Sequence, residues 1–406
     1  MKSEFGVQFE TYRQILKPSV QEFLDSHSDR DTHQILLQGR DVDGVPPSVL
    51  ADQLKGRAAA KEKFPDLCGN HSIIYPPGLN LEQSSSSATA ALKAELLSRF
   101  VTPGVIADVT GGFGVDTYHF SKYFNAVEYI EPNQVLASIA AHNHRTLGAT
   151  NIRHHVTTAE TFLAASAQRL SAIYIDPSRR VNTRRVVSLR DCEPNVLGLQ
   201  PTIFNRAPVL MIKASPMLDI SNSIAELDVV SHVVVVSVQQ ECRELLFICN
   251  DSSRGEPIIT TIHVTAWGRE VFEFTAPEEK HAQANFGDVG GFLYEPNPSI
   301  LKSGAFKLVA TRFGLAKLDP NTHLYTSNEL ITGFPGRRFA VRSRLKSDAA
   351  SVARMLPERK ANVIVRNYPL SPDALKKKIK INDGGQYYII GTTALRTPLL
   401  ILAERV

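Results

Sequence analysis

VIADVTGGFGVD, residues 105–116, is the stretch from which the rest of the sequence is interpreted. It begins with residues of strand character and passes through Asp108 to a turn that holds Gly111, Gly112 and Gly114. Glycine adopts tight backbone angles and lets a ligand approach the backbone N–H groups closely. A strand that ends in such a turn and leads into a helix predicts a ligand site at the carboxyl end of the strand.

The spacing of these glycines does not fit a dinucleotide-binding loop, which has the pattern G-x-G-x-x-G and no acid at the strand end. The pattern D-x-T-G-G-F-G-x-D instead resembles the first motif of class I S-adenosylmethionine (SAM) dependent methyltransferases. The resemblance implies a set of SAM-binding residues in this motif: Asp108, Thr110, Gly111, Gly112, Gly114 and Asp116.

Length and composition predict a protein of two or three domains without a membrane partner. The chain has 406 residues, 43% of them hydrophobic and 21% charged, as is usual for a globular protein. No apolar run reaches roughly 18 residues and no apolar signal core follows Met1, so we expect a cytoplasmic protein. The four cysteines form no C-x-x-C pair, which argues against a zinc site, and no metal is predicted.

Charge is distributed unevenly along the chain. Residues 331–406 contain 15 Lys and Arg against 5 Asp and Glu, a net charge of +10, whereas residues 1–330 carry −6. Such a segment suits a polyanion, although a solvated basic surface is the alternative. The candidate RNA-binding residues of this segment are Arg342, Arg344, Lys346, Lys376, Lys377, Lys378 and Lys380.

Residues 1–80 show helical spacing of apolar residues and predict an N-terminal helical domain. A polar loop follows, and then a helix over residues 88–98. In class I methyltransferases a segment at this place touches SAM, so Gln83, Ser84 and Ser86 are implied cofactor contacts. Helix capping by the serines is the alternative interpretation.

The second strand, AVEYIE, ends at Glu131, which is followed by Pro132. A carboxylate there can accept hydrogen bonds from both hydroxyls of a ribose, so Glu131 is the predicted ribose ligand and a surface acid is the alternative. After the third strand, the family resemblance implies that the adenine contact falls to the backbone near Ala159 or to Glu160. His154 and His155 are adjacent on a strand, point to opposite faces and do not predict a metal site.

The fourth strand, in SAIYIDPSRR, brings Asp176 and Pro177 to the same sheet edge. A carboxylate there can accept a proton or hydrogen bond from an acceptor nitrogen or oxygen, while the proline stiffens the loop. The sequence resembles the Asp-Pro-Pro-aromatic motif of nitrogen methyltransferases, with Ser178 and Arg179 in place of the last two residues. Arg179 and Arg180 are predicted to grip a phosphate or stack on a base, or alternatively to form salt bridges.

Three more strands, near residues 208–215, 231–238 and 244–250, complete a seven-stranded Rossmann-like α/β sheet of the class I methyltransferase type. Lys93, Asp176, Lys213 and Glu244 also resemble the Lys-Asp-Lys-Glu tetrad of ribose 2′-O methyltransferases, which supplies an alternative chemistry. Cys242 is interpreted as a structural thiol rather than a nucleophile.

The C-terminal half predicts a β-hairpin after residue 256, a helix over residues 299–313 and a final α+β unit. Together with YEPNPSILKSG, these features resemble a bacterial methyltransferase family with ferredoxin-like and THUMP-like C-terminal domains. The predicted domains are residues 1–80 (helical), 81–255 (methyltransferase), 256–335 (hairpin and ferredoxin-like) and 336–406 (THUMP-like). The resemblance implies RNA as the substrate, and our hypothesis is methyl transfer from SAM to a base nitrogen of tRNA or rRNA. The alternatives are ribose 2′-O transfer, a non-catalytic RNA-binding protein and a small-molecule methyltransferase.

Overall fold

The computed structural model of the chain describes residues 9–28, 32–165, 168–179 and 188–406. They form two compact units. Unit 1 contains Met1–Val230 and Phe247–Ser253, and unit 2 contains Ser231–Leu246 and Arg254–Val406. None of the helices in the described ranges is long and apolar enough to cross a membrane.

Unit 1 begins with the helices that the spacing of apolar residues predicts. They are α1 (Phe9–Arg13), α2 (Pro18–Ser26), α3 (Thr32–Gln38), α4 (Pro47–Lys63), α5 (Gly78–Gln83) and α6 (Ser87–Phe100). Pro47 opens α4, where its missing N–H costs no hydrogen bond. Ser86 caps α6, because its hydroxyl accepts a hydrogen bond from the N–H of Thr89 at 3.2 Å. The prediction of an N-terminal helical region is confirmed.

A parallel sheet follows in unit 1, in the order β7-β4-β1-β2-β3. Its strands are β1 (Val105–Asp108), β2 (Ala126–Ile130), β3 (Ile152–His155), β4 (Ala172–Ile175) and β7 (Val209–Ala214), while β5 (Ser178–Arg179) and β6 (Cys192–Glu193) pair with each other. The connecting helices are α7 (Val115–Ser121), α8 (Gln134–Thr146), α9 (Ala159–Ala165), α10 (Val196–Arg206) and α11 (Ile220–Leu227). The first five predicted strands are thereby confirmed.

The strand order reverses at β1, and this reversal determines where a ligand can bind. From β1 the chain adds β2 and β3 on one side, and then returns to place β4 on the other side. The loops that leave β1 and β4 therefore diverge and open a crevice at the carboxyl edge of the sheet.

Two buried side-chain amides attach the segment after α4 to its neighbours. The side-chain amide of Gln53 donates to the carbonyl of Tyr75 at 2.7 Å and accepts from its N–H at 2.8 Å. Asn143 of α8 makes the same pair of bonds with Ile74, at 2.8 and 2.9 Å. Phe113, next to the glycine turn, belongs to the same hydrophobic core as these N-terminal residues.

Unit 2 begins with four strands in the order β11-β10-β8-β9. They are β8 (Val230–Val238), β9 (Glu241–Asn250), β10 (Ile258–Thr265) and β11 (Gly268–Thr275), of which β8 starts and β9 ends in unit 1. The predicted hairpin is present as β10 and β11, and β10 also pairs in parallel with β8. The remaining two of the seven predicted strands are present as β8 and β9.

A second sheet of unit 2 has the order β13-β14-β12-β15-β18-β17-β16. Its strands are β12 (Phe292–Pro296), β13 (Ala316–Asp319), β14 (Thr322–Ser327), β15 (Gly336–Leu345), β16 (Asn362–Arg366), β17 (Tyr387–Ala394) and β18 (Thr397–Arg405). The helices of this unit are α12 (Ala276–His281), α13 (Pro298–Ser303), α14 (Phe306–Arg312), α15 (Ala349–Met355) and α16 (Pro372–Ile379). The C-terminal α+β arrangement is confirmed.

One helix of this region was predicted wrongly. The sequence predicts a single helix over residues 299–313, but two helices occupy this range. Gly304 separates α13 from α14 with a φ of +83°, a left-handed angle that ends a helix. The apolar spacing continues across the break, which is why periodicity alone did not reveal it.

Candidate active site

The glycine turn lies between β1 and α7, and its three glycines differ in what a side chain would meet at each position. A Cβ at Gly111 would lie 2.2 Å from the ring of Tyr129, and one at Gly114, where φ is +88°, would lie 2.6 Å from Nε2 of His144. Gly112 has a φ of +53°, and the nearest atom that its Cβ would meet is 3.8 Å away. Gly111 and Gly114 therefore serve packing, whereas Gly112 faces open space that a ligand can fill.

Glu131 comes directly after β2, as predicted, and its carboxylate lies against the turn. It accepts hydrogen bonds from the N–H of Gly112 at 3.1 Å and of Asn133 at 2.8 Å, on different oxygens. Burial raises the pKa of Glu131, and the two backbone donors act in the opposite direction. Each oxygen has a second lone pair, so the fixed carboxylate can also accept hydrogen bonds from a ribose diol. Pro132 follows it in the loop.

Asp108 lies beneath the turn rather than in the crevice. It is 1% exposed, and it accepts hydrogen bonds from the hydroxyl of Thr117 at 2.6 Å and the N–H of Thr110 at 3.1 Å. Burial, with a smaller contribution from Asp116, raises the pKa of Asp108 to about 7. Its visible role is to hold the turn in shape.

Asp116, in the first turn of α7, is the centre of a buried polar network. The ammonium of Lys93 lies 3.1 Å from one of its oxygens, and the hydroxyls of Ser85 and Tyr174 donate to the other at 2.8 and 2.9 Å. Lys93 is fully buried and also donates to Ser85 at 2.9 Å. Burial raises the pKa of Asp116, but Lys93 and Lys213 outweigh this effect and lower it below its ordinary value.

Sequence reasoning missed Ser85 and Tyr174 as members of this network. Ser85 is one of four consecutive serines, and Tyr174 looks like a core residue of β4. The available signal was Lys93, which stands among the apolar residues of α6 and so predicts a buried ionic partner. Of the predicted contacts on this segment, Ser84 donates to the carbonyl of Leu81 at 2.8 Å, Gln83 is exposed and Ser86 caps α6.

Asp176 is brought to the glycine turn from the end of β4. Its backbone N–H donates to the hydroxyl of Thr110 at 2.7 Å, and its carboxylate forms an ion pair with Lys213 of β7. The side chain of Asp176 remains 29% exposed, and that of Lys213 16% exposed. A half-buried, fixed carboxylate at the crevice can accept a hydrogen bond from a substrate.

The residues after Asp176 are only partly described. Pro177 is half-buried, and the hydroxyl of Ser178 donates to the carbonyl of Glu193 at 3.3 Å. The side chain of Arg179 and the whole of Arg180 lie outside the described residues. At the predicted adenine position, Ala159 is buried at the start of α9 and Glu160 is exposed.

The predicted ribose tetrad consists of Lys93, Asp176, Lys213 and Glu244. Asp176 and Lys213 are partners, whereas Lys93 is the partner of Asp116. Glu244 belongs to β9 and is buried in unit 2.

His154 and Cys242 do not add a metal centre or a nucleophile. Nδ1 of His144 lies 2.9 Å from Nε2 of His154, and burial lowers the pKa of both histidines to about 4. Among the residues that the structure describes, no group of three or more His, Cys, Asp or Glu side chains is placed to hold a metal. Burial raises the pKa of Cys242 to about 11, so its thiol is protonated near neutral pH.

The predicted basic residues of unit 2 fall into two groups. Arg342, Arg344 and Lys376 form ion pairs, with Glu404, Asp288 and Asp383 respectively. A second group is exposed and forms no ion pair within the described part of the chain: Lys346, Lys377, Lys378 and Lys380.

Comparisons with known proteins match two C-terminal segments and nearly the whole chain. A family model described as a ferredoxin-like domain matches residues 292–335, and one described as THUMP domain-like matches residues 336–405. The crystal structure of a candidate methyltransferase from Porphyromonas gingivalis W83 is similar to this chain with a TM-score of 0.85 and 30% identity, over 97% of this chain and 98% of that one. Two uncharacterized SAM-dependent methyltransferases from Mycobacterium tuberculosis strains are 23% identical over 366 residues, which is 88% of this chain and 95% of theirs.

Proposed function

This chain belongs to the family of SAM-dependent methyltransferases with C-terminal ferredoxin-like and THUMP-like domains, and from this premise we propose that its methyl acceptor is a structured RNA. The proposed target is a base nitrogen of tRNA or rRNA. The observation that carries this choice is Asp176, a fixed and partly exposed carboxylate beside the glycine turn.

The donor set of the crevice fits SAM. Gly112 leaves open space where a side chain would otherwise lie, and Glu131 presents its carboxylate beside that space. We assign the ribose hydroxyls to Glu131 and the adenine side to the start of α9, near Ala159 and Glu160. SAM supplies an electrophilic methyl group on a positively charged sulfur.

Asp176 acts on the acceptor in this proposal. An exocyclic or ring N–H would donate to its carboxylate, which would orient the acceptor nitrogen and accept the proton that the nitrogen loses on methylation. Lys213 holds that carboxylate by its ion pair, and Thr110 holds the backbone of the same residue at 2.7 Å. Pro177 restricts the loop that follows.

Ribose 2′-O transfer is the second candidate, and the burial of Lys93 leaves Lys213 as the lysine of the tetrad that a substrate can reach. That chemistry needs a lysine whose ammonium can exchange a proton with the substrate hydroxyl. Lys93 is 0% exposed and is engaged by Asp116 and Ser85. A base nitrogen needs only the Asp176–Lys213 pair.

The basic C-terminal segment supports RNA as the substrate class. Residues 331–406 carry a net charge of +10, and Lys346, Lys377, Lys378 and Lys380 are exposed there. Contacts between lysines and phosphates supply most of the affinity that does not depend on sequence. The THUMP-like match covers the same residues.

The test is transfer of tritium from labelled SAM into total RNA, including tRNA and rRNA, from a strain that lacks this gene. Alkaline hydrolysis then separates the two acceptors, because 2′-O-methylation blocks cleavage and leaves labelled dinucleotides, whereas a methylated base is released in mononucleotides. We expect labelled mononucleotides. Labelled dinucleotides would show that the acceptor is the ribose and not a base nitrogen. Absence of label in the RNA, when the enzyme binds SAM, would overturn the proposal that RNA is the substrate.

A further inference from the structure

Unit 2 contains a cavity of about 230 Å³ whose lining residues have no role in the proposed methyl transfer. Its walls come from the β10–β11 hairpin, from the segment YEPNP at residues 294–298, and from strands β15, β16 and β18. The catalytic proposal gives the YEPNP segment no role.

Glu295 holds two arginines at one wall of this cavity. Its side chain is 3% exposed, and its two oxygens accept from Nε of Arg337 at 2.7 Å and from Nε of Arg366 at 2.6 Å. One carboxylate therefore faces two guanidinium groups, which leaves this wall with a formal charge of +1. A guanidinium has five N–H donors, and within the described residues neither arginine uses all of them.

The rest of the lining keeps the cavity cationic. Arg405, at the exposed end of β18, forms no ion pair with any described residue and adds a third guanidinium. Glu270 is the second acid, and its carboxylate accepts a hydrogen bond from the side-chain amide of Asn297 at 2.9 Å. Burial lowers the pKa of His263, so this ring is neutral at pH 7 and leaves three positive charges against two negative ones.

The arginine wall is held in place by a close backbone approach. Gly336 has a φ of +150°, and a Cβ there would lie 2.1 Å from the carbonyl oxygen of Glu295. The N–H of Asn297 donates to the carbonyl of Pro335 at 3.1 Å, which fixes the start of β15 against the YEPNP segment. Only glycine fits at position 336, and this places Arg337 beside Glu295 before any ligand arrives.

Fixed guanidinium groups with free N–H donors match the oxygens of a phosphate group. The cavity volume of about 230 Å³ is many times the roughly 10–15 Å³ that one water needs on the same measure, so the cavity has room for a phosphate group. Pro296, Pro298 and Leu301 line the cavity and offer apolar surface to sugar carbons.

We infer that this cavity binds one phosphate group of the RNA substrate. The phosphate follows from the arginine wall, whereas RNA as its source rests on the proposed function. The phosphate lies against Arg337, Arg366 and Arg405. Such a contact would fix where the RNA backbone crosses unit 2, because one phosphate defines one position along the strand.

The test uses the full-length protein and three probes: inorganic phosphate, uridine 5′-monophosphate and uridine. Titration calorimetry at low salt should show saturable binding of the first two and none of uridine. The chain has a single tryptophan, Trp267, which is 97% exposed in the turn between β10 and β11. Because Trp267 lies between the lining residues Thr265 and Glu270, its fluorescence gives a second measurement of phosphate binding.

Arg405→Gln is the informative variant, because Arg405 is exposed and its loss leaves the Glu295 cluster intact. We expect its Kd for uridine 5′-monophosphate to rise about tenfold, as for loss of one hydrogen bond to a charged group. The matched control is Arg354→Gln, an exposed arginine on α15 outside the lining, which should change the Kd less than twofold. Arg366→Lys keeps the charge and removes the fork of donors, so it should also weaken binding.

Two results would overturn the phosphate site: no saturable binding of either phosphate probe by the folded wild type, or equal weakening in Arg354→Gln and Arg405→Gln. Both are distinguishable from failure of the proposed function. Phosphate binding without label in RNA would keep the site and remove the RNA substrate. RNA methylation without phosphate binding would keep the function and remove the site.

Discussion

The imidazole of His144 occupies the space that a side chain at Gly114 would need. Its Nε2 lies 2.9 Å from the Gly114 carbonyl oxygen and 2.6 Å from the position that a Cβ would take. Because Nε2 donates to that carbonyl, Nδ1 must accept from His154. A chain of two histidines therefore supports the glycine turn from beneath.

Gly114→Ala should reduce the stability of the fold. The new Cβ meets a buried ring that has no room to move, and the left-handed φ adds strain, so we expect a loss of about 2–3 kcal/mol in the free energy of unfolding. Gly112→Ala is the matched change, because its Cβ meets open space. It should cost about 1 kcal/mol and mainly weaken SAM binding. Thermal denaturation and SAM calorimetry on both variants measure this contrast, which equal loss of stability in the two would contradict.

The contribution of His144 to the stability of the fold should decrease as the pH drops from 6.5 toward 4. The folded pKa of His144 is about 4, below its ordinary value of 6.5, so the unfolded chain binds the proton first. This contribution is complete above pH 6.5 and is lost as the pH falls. For His144 alone, the loss in the free energy of unfolding reaches about 3 kcal/mol at pH 4. Urea unfolding at several pH values measures the slope. His144→Asn should flatten it, whereas replacement of the exposed His33 by Gln should leave it unchanged.

Asp176→Asn should lower the rate of methyl transfer by a factor of roughly 10² to 10⁴ and leave SAM affinity within about twofold, because the amide cannot accept the proton. Lys213→Met should also lower the rate, because Lys213 forms the ion pair that holds the Asp176 carboxylate. Single-turnover assays measure these rates. The exposed Asp41 provides a control by Asp41→Asn, and wild-type turnover in Asp176→Asn would remove Asp176 from the mechanism.

Glu131→Gln should weaken SAM binding at least tenfold. The amide offers one acceptor oxygen in place of two, and its NH₂ group opposes the N–H of Gly112 or Asn133. Equilibrium binding of SAM and of its demethylated product gives the two affinities. Glu82→Gln, an exposed change on α5, is the control. Unaltered affinity in Glu131→Gln would assign the ribose to another residue.

Lys377→Gln with Lys378→Gln should weaken RNA binding and make it less dependent on salt. Each phosphate contact that is lost reduces the slope of log K against log salt by roughly 0.7 to 0.9. Filter binding over a range of salt concentrations measures the slope. The same double change at Lys55 and Lys61, exposed on α4, should leave it as in the wild type.

The sequence was most informative where one residue type has few alternatives. Three glycines after a short apolar strand located the turn, and an acid at the end of the next strand located Glu131, because few folds need those residues at that spacing. The seven strands followed from short apolar runs bounded by turns.

The parts that the sequence did not reveal depend on side chains from distant segments. From the sequence, Tyr174 is expected to be an ordinary core residue. Its hydrogen bond to Asp116, at 2.9 Å, is visible only in the structure. Glu295, Arg337 and Arg366 are separated by up to 71 residues and meet only because β12, β15 and β16 belong to one sheet. Spacing along the chain contains no information about such pairs.

The paired hydrogen bonds of the Gln53 and Asn143 side-chain amides affect how unit 1 unfolds. Each ties the backbone at Ile74 and Tyr75 as a neighbouring strand would, and the same core includes Phe113. Loss of the N-terminal helices would leave two buried amides without their hydrogen-bond partners and would expose the residues that pack beneath the glycine turn. The N-terminal helices and the glycine turn should therefore melt in one cooperative transition, and amide exchange at Ile74 and Tyr75 should be as slow as in β1.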